Sequence, residues 1–157
     1  MHPKVKKVLE DEHITYREVR HDSFSSPINS PIDFAAALNY DLERITKSVF
    51  LRSKSKDQYI MAVCSINKKL NLPEVALLSN SGKLEVADKQ ELTDLVGYPI
   101  NGVCAIGLDP GIAVFMDNVL LSFPTVLIGS GEAAVEIELA PADLLSASNA
   151  ALHRIVL

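Results

Sequence analysis

The chain has no tryptophan and, in 157 residues, only two cysteines and seven glycines. Cys64 and Cys104 stand in apolar surroundings without a C-x-x-C pair or a Cys/His cluster, so zinc ligation and dithiol redox chemistry find no support and both thiols are expected reduced and buried. No apolar run approaches the length of a membrane span, and the first twelve residues mix Lys with Glu and Asp too early for a secretory signal. A cytoplasmic protein without a membrane partner is the expectation. Hydrophobic residues make up 48% and charged residues 22%, enough apolar surface for one domain over residues 1–157 and too much for long disordered arms.

Positive charge is scarce in the second half. The net charge of −5 divides into +3 over residues 1–83 and −8 over residues 84–157, which argues against a general nucleic-acid binder. Arg44, Arg52, Lys54, Lys56, Lys68 and Lys69 either form a basic surface that steers a polyanion or simply solvate the fold.

The pattern of elements is mixed. Val5, Val8 and Leu9 predict an amphipathic helix over 3–12, followed by a short strand over 15–21. A Ser/Pro-rich loop over 22–30 leads to Ser30-Pro-Ile-Asp33, a helix start carrying its own cap. Residues 45–52 and 59–64 read as a hairpin, and residues 67–80 as a helix broken or started near Pro73. Asp88-Lys-Gln-Glu91 is a capping box, opening a helix with Leu92, Leu95 and Val96 on one face and Gly97 at its end. Strands over 112–116, 125–129 and 135–139 precede a closing helix from Pro141. This order lacks regular βαβ alternation and predicts an α/β fold with a compact mixed sheet, partly barrelled, with surrounding helices.

Two features carry candidate chemistry. The stretch Leu95–Gly111 holds four of the seven glycines and two prolines. It lies after a helix and lacks a G-K-[ST] ending, which excludes a dinucleotide or Walker loop. Its backbone amides either polarise an acyl oxygen or only shape a turn. Lys47 shares a strand face with Val49 and Leu51, so its ammonium either serves a pocket or escapes to water at the strand end. Cys104 is a nucleophile or, without a recognisable base, a buried thiol. His21, between a strand and a flexible loop, binds or transfers a proton unless it is a surface cap.

Taken together, Lys47 in Ile45–Leu51, the run Leu92–Gly107, and Ser130-Gly131 followed by Val135–Leu144 resemble the YbaK/prolyl-tRNA-editing family. Members have a mixed α/β domain and hydrolyse the ester of wrongly charged tRNA, chiefly Ala- or Cys-tRNA for proline, either free-standing or within a synthetase. The resemblance implies a free-standing aminoacyl-tRNA deacylase that needs no metal or cofactor, with the 3′ aminoacyl-adenosine end of tRNA as its partner. It leaves a synthetase partner and a homodimer open. Lys47 matches the family's strand lysine, thought to hold the aminoacyl-adenosine, and Gly102 lies in the loop whose backbone faces the scissile carbonyl; these two are the implied catalytic positions. His21, Val103, Cys104, Ala105, Ile106, Gly107 and Ser130 are the implied substrate-binding positions.

Three departures qualify the match. Ala105 stands where the family usually has proline, altering the expected pocket floor, and Gly131-Glu-Ala-Ala134 replaces a basic turn. Val19 stands where Cys-specific members carry tyrosine. The alternative reading is a catalytically silent relative that binds a tRNA end, an amino-acid-like ligand or a protein partner through the same cleft.

Overall fold

The computed structural model describes all 157 residues. Helices α1 (Pro3–Asp11), α2 (Pro31–Leu38), α3 (Leu72–Ser79), α4 (Lys89–Leu95) and α5 (Pro141–Ser148) interleave with eight strands. The strands are β1 (Tyr16–Arg20), β2 (Thr46–Ser53), β3 (Tyr59–Ser65), β4 (Leu84–Val86), β5 (Ala113–Asp117), β6 (Val126–Gly129), β7 (Val135–Leu139) and β8 (Ala151–His153).

Local sequence explains most of the boundaries. The α2 cap is Ser30, whose hydroxyl accepts the Asp33 amide, and the α4 box closes in both directions between Asp88 and Glu91. Helices α2, α3 and α5 each end on an asparagine in the left-handed region, Asn39, Asn80 and Asn149, with φ of 53°, 52° and 53°. Asparagine supplies the cap that a glycine-poor chain withholds. Leu92 of α4 and its C-cap Val96 are buried, but Leu95 is 45% exposed and lies off the apolar stripe.

The mixed α/β class holds, with two sheets rather than one and no closed barrel. One has strand order β1-β7-β6, all antiparallel; the other has order β4-β2-β3-β5-β8, with β3-β5 and β5-β8 parallel. Strands β4 and β8, the two edges of the larger sheet, were not expected: each has three residues, too few for alternation to register. The larger core lies between the sheets and helices α1, α4 and α5, through Val5, Leu9, Phe50, Met61, Ile137 and Leu144. Leu51, Ile60, Ala62 and Phe115 bury the opposite face of the five-stranded sheet under Val75 of α3.

The sheets meet at a narrow seam. Ile45 forms a single parallel bridge with Leu127, and the Thr46 hydroxyl donates to the Leu127 carbonyl at 2.8 Å. Arg44 reinforces it, its Nε donating to the Thr125 carbonyl at 2.9 Å. The 97–107 loop presses on this seam: Tyr98 donates its hydroxyl to the Ile106 carbonyl at 2.7 Å, and the Gly131 amide donates to the Gly102 carbonyl at 2.8 Å.

Gly129 makes that approach feasible, since a Cβ there would lie 2.1 Å from the Val103 carbonyl oxygen. Backbone cannot yield as a side-chain tip does. Gly129→Ala is expected to destabilise the fold by about 1–3 kcal/mol or displace residues 102–103, read as a lowered denaturant midpoint. An unchanged midpoint would show that the loop rides loosely on β6.

Candidate functional site

A cavity of about 390 Å³ opens at the seam. The start of β2 gives Ile45, Thr46, Lys47 and Ser48; β6 gives Leu127, Ile128 and Gly129. The loop contributes Ile100, Asn101, Gly102 and Val103, and α2 with its leading residues contributes Ile28, Asn29, Ser30, Pro31 and Phe34. His21 and Glu136 close the wall, and Ile66 follows β3.

Of the residues expected from sequence, Lys47, Gly102, His21 and Val103 line this cavity. Lys47 on this lining is half-buried, and its ammonium has no carboxylate within 4.0 Å, so no contact ion pair occupies it. The Asn101 and Val103 amides donate to no backbone acceptor.

The other expected residues lie elsewhere. Cys104 is fully buried, its sulfur accepts the Ile106 amide at 3.4 Å, and burial pushes its thiol up to about 12, far from a nucleophilic thiolate. Ile106 is in the main core. Ala105 and Gly107 border a second hollow of about 510 Å³, so Ala105 is not the floor of the cavity that holds Lys47. Ser130 is buried and its hydroxyl donates to the Val135 carbonyl at 2.7 Å, bracing the β6–β7 turn. A loop that passes through the core cannot present six consecutive residues, Gly102 to Gly107, to one pocket.

The second hollow is larger but chemically poorer. Besides Glu12 and Asp109 its lining is mostly small or apolar, including Val8, Ala113 and Ala147, and it holds no cation. The seam cavity gathers the convergent polar groups that mark a site.

Glu136 is the residue that sequence reading missed. It shares a 2.6 Å hydrogen bond with His21 Nε2, and the His21 ring meets Phe34 edge-on at 4.5 Å between centroids. Its only sequence signal was the alternation Val135-Glu-Ile-Glu-Leu139, which says strand and no more. Desolvation raises the Glu136 carboxyl above its ordinary 4.5, against the opposing pull of His21. Val19 pairs with Glu136 across β1 and β7 and is buried beside Phe34, so the place expected for tyrosine is filled by core.

The expected basic surface is incomplete. Arg52 is held by Glu85 at 3.0 Å and by Glu91, Arg44 is engaged with Thr125, and Lys68 has Glu43 at 3.7 Å. Lys54, Lys56 and Lys69 are exposed and unpaired. No three His, Cys, Asp or Glu side chains converge as a metal-binding set. No helix is long and apolar enough to cross a membrane.

Residues 25–147 match the aminoacyl-tRNA editing domain. The chain belongs to that family. The editing domain is 24% identical over 143 residues to a protein of Enterococcus faecalis named "Putative Cys-tRNA(Pro)/Cys-tRNA(Cys) deacylase EbsC", covering 91% of this chain and 86% of the relative. It is 30% identical over 110 residues to YwhH of Bacillus subtilis, an uncharacterised protein, covering 70% and 69%. Among solved structures, the hypothetical protein APE2540 superposes with a TM-score of 0.84 at 25% identity over 98% of this chain and 99% of that one. A structure described as "a putative trans-editing enzyme for prolyl tRNA synthetase" gives 0.81 at 21% identity over 100% and 99%, a likeness of fold.

The raised Glu136 carboxyl has a pH signature. The folded state holds that proton more tightly than the unfolded chain, so this group's stabilisation is complete below pH 4.5 and is lost as pH rises through the folded value. Glu136→Gln is expected to be at least as stable as the parent at pH 7, with the difference closing toward pH 4. Paired denaturation curves at the two pH values check this; a difference that grows on acidification contradicts it.

Proposed function

We propose that this editing domain is an aminoacyl-tRNA deacylase that hydrolyses the ester of a mischarged tRNA, of the prolyl-tRNA-editing type. The observation carrying the reading is Lys47, with no carboxylate in contact, on the lining of a cavity whose neighbouring wall includes Gly102 and Val103.

The geometry suits an ester between a small amino acid and a terminal ribose. Lys47 supplies a fixed positive charge for the electron-rich aminoacyl-adenosine end, and the loop amides supply donors for the carbonyl oxygen. Water adds to the carbonyl carbon, the bond to the ribose oxygen breaks, and that oxygen takes the proton that water gives up. The products are a free amino acid and an uncharged tRNA end. Ile28, Phe34 and Ile128 give the acyl side chain an apolar wall. Holding ester and water in register, rather than a nucleophilic side chain, accounts for the chemistry, in keeping with the inert Cys104.

The test is deacylation of a panel of mischarged tRNAs, Ala-tRNA(Pro) and Cys-tRNA(Pro) included. Lys47→Ala is expected to lower kcat/KM by about 10²–10³ on the substrate the parent cleaves, the scale of removing one preorganised electrostatic contact. A parent chain inert across the panel overturns the enzyme reading; if it still binds the tRNA end in a salt-dependent way, the silent binding module replaces it.

A further inference from the structure

The register of the larger sheet aligns four polar side chains in one row. Lys47 on β2 faces Cys64 on β3. The parallel pairing of β3 with β5 ends at Val63 and Met116, so Cys64 and Asp117 are the next residues along the two strands, close enough for the Asp117 charge to act on the thiol, and Asp117 faces His153 on β8. Directly paired residues share a sheet face, so Lys47, Cys64, Asp117 and His153 share theirs. The rest of that face on these strands is Val49, Leu51, Ile60, Ala62, Phe115 and their neighbours, and it carries no other ionisable group. The row's outer end, His153, is exposed, whereas Cys64 and Asp117 have no accessible surface.

Asp117 is only half explained by the fold. One oxygen accepts the Ile155 amide at 3.0 Å; the other is buried with no hydrogen-bond partner. Lys47 shows the converse, an ammonium without a carboxylate in contact. Two strand spacings put their backbones roughly 10 Å apart, a range over which opposite charges in a poorly screened interior still attract. Between them the Cys64 thiol registers both, pulled down by Lys47 and pushed up by Asp117, while burial raises it to about 11 and keeps it neutral.

We propose that Asp117 is a positioning residue for Lys47, the buried counter-charge that holds the lysine ammonium at the cavity wall. The arrangement explains both orphans at once. A carboxylate in direct contact would neutralise Lys47 and occupy the donors that a substrate needs. One placed two strands away offsets the cost of partly burying the ammonium yet leaves its donors free. The proposal rests on Lys47 being the cation of the site.

The test is a double-mutant cycle on stability with Lys47→Met and Asp117→Asn, the latter keeping an oxygen for the Ile155 amide. Coupling is expected: the cost of Lys47→Met should be at least about threefold larger, as a folding equilibrium constant, in the parent than in the D117N background. Additive effects overturn the proposal. If D117N does not fold, the sign of Lys47→Met alone decides. Loss of stability supports a paired ammonium, and a gain, the relief expected on removing an unpaired buried charge, overturns the pairing. A purely structural Asp117 is separated in the hydrolysis assay, where D117N should lower kcat/KM in the parent and cost nothing further once Lys47 is alanine. The stability cycle reads folding alone, so an inert parent would sink the deacylase reading without affecting the measured coupling.

Discussion

The fold's functional geometry depends on one close contact, the Val103 carbonyl oxygen against the backbone of Gly129. Without a side chain on β6 at that point, the 97–107 loop settles directly on the sheet, and the Gly131 amide fastens it through the Gly102 carbonyl. The buried Tyr98 hydroxyl holds the far side of the loop by its bond to Ile106. Gly102 and Val103 are thereby fixed over the start of β2, where Lys47 lies. A site for ester chemistry needs that kind of rigidity, because preorganised dipoles stabilise developing charge only if they do not have to turn.

Charge pairing sorts the remaining cations. Arg44 and Arg52, with the planar forks best suited to bidentate contacts, are committed to the protein itself, Arg44 at the seam and Arg52 at the cap of α4. Lys47 on the cavity lining makes no contact ion pair, and His21 is bonded to Glu136 on the same lining. The site therefore combines one available charge with one satisfied polar pair.

Sequence made legible what local chemistry decides. The Ser30 cap, the Asp88–Glu91 box and the alternation in β7 each follow from neighbours a few residues apart, and the structure has all three. Lys47 stood out because an ammonium among apolar neighbours carries a solvation cost, and its strand places it in a cavity. Glu136 did not, because an acid at an alternating strand position resembles a solvated one until β1 brings His21 beside it. The loop was legible as a loop but not residue by residue: Cys104 and Ile106 turn into the core while Ala105 and Gly107 face another hollow, a split decided by packing. Strands β4 and β8 depend on neighbours already being in place and have almost no signal of their own.

The seam itself has a thermodynamic consequence. Beside the core they share, the two sheets meet at this edge through one bridge and a few side-chain bonds, around a cavity bounded by β2 on one side and β6 on the other. An occupant that touches both walls adds to the work of parting them, so occupancy and cohesion of the two halves become one linked quantity. The protein is least cohesive when it is empty, and a molecule that fits its cavity acts as mortar between its sheets.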